Sequence, residues 1–127
     1  MATLNAIGIA VSDLRRSLHF YRLLGAELPE VSTERHVEAT MPNGTRLMFD
    51  GEDVIHSFLP GWTRANGNQV SLAFECPSPA EVDEVYSRVV GAGFEGEKEP
   101  WDAFWGQRYA LLVDPDGVRV NLYAALP

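Results

Sequence analysis

The chain has 127 residues, enough for one domain with a real core, and its 46% hydrophobic and 22% charged residues form an ordinary globular balance. The formal charge of −8 argues against nucleic acid, whose phosphates demand a basic face. That charge fits small cationic molecules better, although acidity for solubility alone is the simpler explanation. No apolar run nears the ~20 residues of a membrane span, no signal-peptide pattern begins the chain, and one cysteine excludes an internal disulfide. We therefore expect a cytoplasmic protein without a membrane partner.

The first half of the chain reads as a strand, a helix and further strands. Residues 4–11 alternate in hydrophobicity, and Ser12 or Asp13 can cap the helix that follows. Apolar residues then recur at helical spacing up to Leu24, and Gly25 is a plausible stop. Three extended segments follow, at residues 27–31, 36–41 and 45–50, with "PNG" as the last turn.

The second half repeats this order with a stronger helix start. After the strand that begins near residue 69, Ser78 is the expected N-cap, Pro79 is the first helical residue and Glu81 completes a capping box. An apolar stripe runs along the helix to Gly91, which is expected to end it. Extended segments follow at residues 94–101, 108–113 and 118–124, with "DPDG" as the last turn.

Both halves therefore show the pattern βαβββ, which indicates a duplicated module. Module one spans residues 1–50 and module two residues 68–127, and the linker between them, residues 51–67, reads as a loop. Each helix can cover one face of its own small sheet, which leaves the other face free until the modules meet. We predict an α+β fold for the single domain of residues 1–127: a curved, eight-stranded mixed sheet with helices outside and a concave cleft inside.

This arrangement resembles a known superfamily. The segments "IGIAVSDLRRSLHFYRLLG" and "EPWDAFWGQRYALLVDPDGVRVNLY" are similar to sequences of the vicinal oxygen chelate superfamily, which includes glyoxalase I, extradiol dioxygenases and bleomycin-resistance proteins. The resemblance covers essentially the whole chain and is specific for the fold. It says less about activity, because this fold carries several reactions.

The resemblance implies where a metal ligand would stand. Enzymes of the superfamily hold a divalent ion with His, Gln or Glu from the first and last strands of each module. In the same register this chain carries Ala6, Met48, Ser71 and Asn121. Only the asparagine offers a weak oxygen ligand, and a shift by one residue gives apolar side chains instead. We therefore expect neither a metal nor another cofactor.

Strand alternation predicts which side chains face the cleft. The first strands contribute mostly small residues, namely Ala6, Gly8, Ala10, Ser71, Ala73 and Glu75. The last strands contribute larger ones: Arg46, Met48, Asp50, Arg119, Asn121 and Tyr123. The intervening residues are apolar throughout and are expected to form the core. An open floor of small residues leaves room for a guest molecule.

Four aromatic residues within ten positions stand out in "PWDAFWGQRY", residues 100–109. Aromatic rings offer flat apolar surface at low entropic cost and suit planar or cationic ligands. The alternative is that these rings fill the core or a dimer interface. The residues concerned are Trp101, Phe104, Trp105 and Tyr109.

The resemblance is nearest to metal-free members of the bleomycin-resistance type, which implies a homodimeric protein that binds a small molecule and can sequester a planar or cationic antibiotic. The groove can form within one chain or between two, and the sequence fits both. The residues expected to contact the aromatic or cationic ligand are Met48, Asp50, Glu75, Trp101, Phe104, Trp105, Tyr109, Arg119, Asn121 and Tyr123.

Two enzymatic alternatives stay open, although the four positions of the metal ligands argue against catalysis. A metal-independent isomerase or lyase would need a general base, for which Glu75, His36 and Glu38 are the candidates, and an arginine to stabilise negative charge. A metal-dependent glyoxalase-like or dioxygenase-like enzyme ranks third, because its ligands are missing from the sequence.

Overall fold

A computed structural model of the chain describes residues 1–29, 35–65, 67 and 69–127. They form two compact units, Met1–Ala65 and Asn66–Pro127. Each unit has its own mixed sheet, with three strands in the first unit and four in the second, so the predicted α+β class is confirmed. In these residues no helix is long and apolar enough to cross a membrane.

The first unit contains a three-stranded sheet in the order β1-β3-β2, with β1 parallel and β2 antiparallel to the central strand β3. Its elements are β1 (Ala6–Val11), α1 (Leu14–Leu23), β2 (His36–Thr40), β3 (Arg46–Gly51) and α2 (Glu52–Phe58). The buried face of α1 meets the sheet where the ring centroids of Tyr21 and Phe49 lie 5.0 Å apart.

The second unit contains a four-stranded sheet in the order β4-β7-β6-β5, in which only the β4–β7 pair is parallel. Its elements are β4 (Ser71–Glu75), α3 (Pro79–Gly91), β5 (Glu95–Asp102), β6 (Gln107–Val113) and β7 (Arg119–Ala125). Helix α3 packs on β5, β6 and β7 and buries its predicted apolar stripe.

The two long helices begin at the predicted caps. The Asp13 carboxylate accepts a hydrogen bond from the Arg16 N–H at 3.2 Å, and the Ser78 hydroxyl accepts one from the Glu81 N–H at 3.3 Å. Helix α3 ends at Gly91, as predicted, and the left-handed residue beyond it is Gly93, with φ +96°.

Two predictions about the first half need correction. The linker at residues 51–67 is not all loop, because α2 occupies Glu52–Phe58. Acidic residues in the first turn of α2 stabilise the helix by interacting with the positive end of its dipole. The side chain of Ile55 is buried on one side of the helix. The predicted strand at residues 27–31 is absent over 27–29, and its remainder lies outside the described residues. The described residues therefore hold seven strands, and the eight-stranded layout is not confirmed.

The predicted alternation holds in both sheets, because residues that pair across strands share a face. In the first sheet the small residues of β1 lie beside the last strand of that unit, as in the pairs Gly8–Met48 and Ala10–Asp50. In the second sheet Ala73 pairs with Asn121. The opposite faces carry the core residues Ile9, Phe49, Leu72, Val120 and Leu122. We call the two small-and-polar sides the open faces.

Helix α3 holds β5 by a close contact and an ion pair. Gly96 leaves no room for a side chain, since a Cβ there would lie 2.7 Å from Tyr86 Cζ and 2.9 Å from Val90 Cγ2. Arg108 on β6 binds Asp83 on α3 at 3.0 Å and Asp102 on β5 at 3.1 Å. These contacts fix the position of the strand that begins the aromatic segment.

Candidate functional site

Five rings gather on the open face of the second sheet, and we call them the aromatic cluster: Trp101, Phe104, Trp105, Tyr109 and Tyr123. The strand register explains three of them, because Tyr109 pairs with Trp101 on one side and with Tyr123 on the other. The other two sit in the β5–β6 turn, where Gly106 has φ +89° and donates its N–H to the carbonyl of Ala103.

The rings of the aromatic cluster contact one another mainly edge to face. The centroid of Trp105 lies 6.0 Å from that of Trp101, 5.3 Å from that of Tyr109 and 5.0 Å from that of Phe104, with interplanar angles of 80–89°. Tyr109 and Tyr123 are stacked at 6.2 Å and 26°. Edge-to-face contact joins the positive edge of one ring to the negative face of another, which keeps the cluster ordered.

Much of this aromatic surface meets solvent. Phe104 is 97% exposed and Trp105 is 47% exposed. The Trp105 indole N–H donates to Gln107 Oε1 at 2.9 Å, so the ring is held by a hydrogen bond as well as by its neighbours. The alternative that these rings fill the core of their own unit is therefore wrong for both residues.

Polar groups border the aromatic cluster. The Asn121 amide donates to Tyr109 Oη at 3.0 Å and to Ser71 Oγ at 3.5 Å. Glu75 pairs with Tyr123 across the β4–β7 ladder and is exposed, so a carboxylate stands beside the stacked tyrosines. Arg119 on the same face forms an ion pair with Glu97 at 2.7 Å. The surface thus combines flat rings, a hydrogen-bonded amide and an exposed carboxylate.

The open face of the first sheet carries a different arrangement, a row of charged side chains. His36 Nε2–H donates to Glu38 at 2.7 Å, and His36 Nδ1–H donates to Asp50. Arg46 binds the other oxygen of Glu38 at 2.6 Å and also donates to Asn5. An imidazole that donates from both nitrogens is an imidazolium, so the two carboxylates favour the protonated ring.

We expect the stability of the protein to depend on the ionisation of His36. Hydrogen bonds to Glu38 and Asp50 raise the pKa of His36 above its usual value of about 6.5. A raised pKa means that this contribution is complete below about pH 6.5 and is lost as the pH rises through the pKa of the folded state. Because the side chain is 42% exposed, solvent screening limits the loss to under about 1 kcal/mol.

An NMR titration of the three histidines tests this expectation directly. His36 should titrate above its usual value of about 6.5, and His36→Gln should remove the corresponding step from a plot of unfolding free energy against pH. A His36 that titrates at or below about 6.5 would show that the two carboxylates do not hold its proton.

The four residues that the resemblance places at metal-ligand positions, Ala6, Met48, Ser71 and Asn121, include no His, Gln or Glu. Met48 offers a thioether and its neighbour across the ladder is Gly8, while Asn121 directs its amide nitrogen at Ser71 and Tyr109. An N–H donor cannot ligate a cation, and thioether and hydroxyl groups are poor ligands for divalent ions such as Zn²⁺ or Mn²⁺. Across the described ranges no cluster of three or more His, Cys, Asp or Glu side chains could hold a metal ion.

The structure brings most of the predicted ligand-binding residues together, but not all in one unit. Those in the second unit share the open face that carries the aromatic cluster. Met48 and Asp50 belong to the first unit, beside Glu38 and His36.

Cys76 is buried, as predicted, and burial raises the pKa of its thiol, which argues against a nucleophile. Cys76 also lines a cavity of about 390 Å³ with Glu75, Pro77 and Ala125.

Sequence reasoning missed one residue of this face, Lys98. Its Nζ lies 3.9 Å from the centroid of the Trp101 ring. Simple alternation places residues 98 and 101 on opposite faces, so the pattern argued against the contact. The available signal was compositional, because Lys98 is the only lysine in the chain and stands three residues before the aromatic segment's first tryptophan.

Two units, each with a mixed sheet and helices, define a class of α+β proteins. Comparison with known proteins identifies the family within that class. The model of the Glyoxalase/Bleomycin resistance protein/Dioxygenase superfamily matches residues 3–122. The chain belongs to this superfamily, which confirms the resemblance seen in the sequence. No protein of curated function matches the chain at a significant level.

Solved structures of the same fold come from several bacteria. A glyoxalase/bleomycin resistance protein/dioxygenase family enzyme from Burkholderia phytofirmans PsJN is 19% identical, with a TM-score of 0.85 over 98% of this chain and 100% of that one. A glyoxalase/bleomycin resistance protein/dioxygenase from Nocardioides is 26% identical, with a TM-score of 0.75 over 99% and 85%. A lactoylglutathione lyase from Agrobacterium tumefaciens is 18% identical, with a TM-score of 0.67 over 98% and 94%.

Proposed function

We propose that this protein is a metal-free member of its superfamily that binds a planar or cationic organic molecule on the aromatic cluster and sequesters it. The observation that carries the proposal is the exposure of Phe104 and Trp105 at the end of an ordered row of rings. Exposed apolar surface of this kind marks interaction sites in soluble proteins. Sequestration needs no chemistry, because binding alone lowers the free concentration of the ligand.

Charge supports a cationic or partly cationic ligand. The chain carries a formal charge of −8, which raises the local concentration of cations around it. Glu75 stands beside Tyr123, and Asn121 presents an amide next to Tyr109. A planar cation could stack on the rings while its polar edge meets these groups. An antibiotic is one such molecule, and the bleomycin-resistance branch of the superfamily makes it the first class to screen.

Quenching of tryptophan fluorescence by N-methylquinolinium, a planar cation, tests the proposal. Trp105→Ala removes the ring that contacts three others and should weaken binding at least ~10-fold, since an aromatic side chain that becomes covered by a ligand is worth about 1.4 kcal/mol or more. The matched control is Phe58→Ala, which removes an exposed ring from α2. Equal affinities for Trp105→Ala and the unsubstituted protein would refute the site.

Metal content provides a second check on the same proposal. Native mass spectrometry of the purified protein is expected to show the mass of the chain without a stoichiometric divalent ion, because Ala6, Met48, Ser71 and Asn121 provide no adequate ligand set. A tightly bound ion at one equivalent would instead favour a metal-dependent enzyme.

The charged row of the first unit favours one alternative, a metal-independent isomerase or lyase. His36 shares its two protons with Glu38 and Asp50, so a carboxylate there could accept or return a proton. An assay of lactoylglutathione lyase activity in the presence of a chelator separates the two proposals. Sequestration alone predicts no turnover, whereas turnover that is lost in His36→Gln would establish the enzymatic alternative.

A further inference from the structure

In the aromatic cluster, the ring of Trp101 is already in contact with a cation of the same chain, the ammonium group of Lys98. The Lys98 ammonium lies 3.9 Å from the centroid of Trp101, well within the ~6 Å range of a cation–π contact. Lys98 is exposed, so the contact forms at the surface rather than in the core. The ring it covers is the same one that contacts Trp105 and Tyr109 edge to face.

An irregularity in β5 makes this contact possible. Lys98 pairs with Leu111 and Trp101 pairs with Tyr109, so three steps along β5 match two steps along β6. In a regular strand, residues three apart point to opposite faces. The extra residue of this bulge restores a common face, and the two side chains meet on the open side of the sheet.

We propose that, in the free protein, the Lys98 ammonium occupies the position on Trp101 where the ligand binds. The ligand is an organic ammonium, and its charged group replaces the Lys98 ammonium on that ring. This inference rests on the proposed function and names the class of molecule that the aromatic cluster selects. Lys98 is its specificity-determining residue.

The difference in hydration between a primary ammonium and a quaternary or ring-delocalised ammonium favours replacement of Lys98 by the ligand. A primary ammonium is a compact, strongly hydrated charge, so its contact with an exposed ring is weak. A quaternary or ring-delocalised ammonium holds water less tightly and covers more of the rings, and it can also contact Trp105 and Tyr109. The displaced lysine remains beside carboxylates, because glutamates flank it on both sides in the segment "GEKEP".

The same exchange discriminates against neutral ligands. A neutral planar molecule must displace the lysine without supplying a charge in its place, so it loses the cation–π contact that it breaks. At an exposed site that contact corresponds to about a two- to fivefold change in affinity. Lys98→Met should therefore raise the affinity for neutral quinoline at pH 8 about two- to fivefold.

A matched variant separates occupancy of the ring from net charge. Arg88→Met removes one positive charge from an exposed residue in the last turn of α3, in the same unit. It should leave the affinity for quinoline unchanged. Equal affinities of Lys98→Met and Arg88→Met for quinoline would show that the lysine does not compete for the ring.

The decisive experiment follows Lys98 itself. Reductive methylation with ¹³C-formaldehyde labels the only lysine and the α-amino group and preserves the positive charge of both. The ring current of Trp101 should shift the dimethyl-lysine signal upfield relative to the Trp101→Leu protein and to the urea-unfolded chain. Addition of N-methylquinolinium should move the signal back to the reference position with the same midpoint as fluorescence quenching.

Each other result has a definite meaning. A dimethyl-lysine signal at its reference position in the free protein would refute the Lys98 contact. Fluorescence quenching with an unmoved lysine signal would overturn the exchange and leave the proposed function standing. No quenching by N-methylquinolinium or quinoline would overturn both the exchange and the proposed aromatic site.

Discussion

Phe49→Ala should lower the free energy of unfolding by about 3–5 kcal/mol, the range observed when a buried phenylalanine is truncated. Phe49 is 0% exposed and occupies the central strand of the first sheet, where it pairs with Ile9 on one side and Val37 on the other. Its ring also contacts Tyr21 of α1 at 5.0 Å. Truncation leaves a cavity between helix and sheet that neither side can close without breaking the register.

Urea unfolding monitored by circular dichroism measures the loss as a lower midpoint at unchanged slope. Phe58→Ala is the matched control, because the same atoms are removed from a ring that is 69% exposed. That variant should stay within about 0.5 kcal/mol of the unsubstituted protein. If the two alanine variants unfold at the same urea concentration, the Phe49 ring does not stabilise the core of the first unit.

Asp114→Ala should cost about 2–3 kcal/mol through loss of the turn that joins β6 to β7. The Asp114 side chain is 4% exposed and accepts hydrogen bonds at 2.8 Å from the N–H groups of Asp116 and Val118. The change leaves these backbone donors without their charged acceptor in a poorly solvated site. Gly117, at φ +90°, completes the turn.

The last turn of the first unit offers the control for this prediction. In the "PNG" turn of the first unit, Asn43 Oδ1 accepts one hydrogen bond from the Thr45 N–H at 3.0 Å, and this residue is exposed. Asn43→Ala should therefore cost well under half as much as Asp114→Ala, while Asp114→Asn should retain part of the stability because its amide oxygen still accepts. Equal losses for both alanine variants would mean that burial of Asp114 does not matter.

The parts of the fold that the sequence predicted are those encoded by local chemistry. Caps such as Asp13 and Ser78, turns such as "DPDG" and two-residue alternation depend on neighbouring residues alone, and all of them lie where expected. Helix α2 escaped prediction because it has only seven residues and one buried side chain, Ile55, which is too short a pattern to show a helical period.

The aromatic cluster was predictable in its residue types and not in its contacts. Four aromatic residues in ten positions indicated a ring cluster, and alternation placed Asn121 and Tyr123 on the same face. The bulge that brings Lys98 over Trp101 depends on how β5 pairs with β6, which no local pattern encodes. The ion pairs of His36 likewise depend on the antiparallel register between β2 and β3.

The close contact between Tyr86 and Gly96 couples the position of helix α3 to the strand that carries part of the aromatic cluster. Gly96 lies two residues before Lys98 on the strand that also carries Trp101, and Arg108, which binds both Asp83 on α3 and Asp102 on β5, links the other end of that strand to the helix. A bulkier or smaller residue at position 86 would shift the strand and change the angle between rings. A substitution at position 86, on the helix side of the second sheet, can therefore change the arrangement of the rings while every residue of the aromatic cluster stays the same.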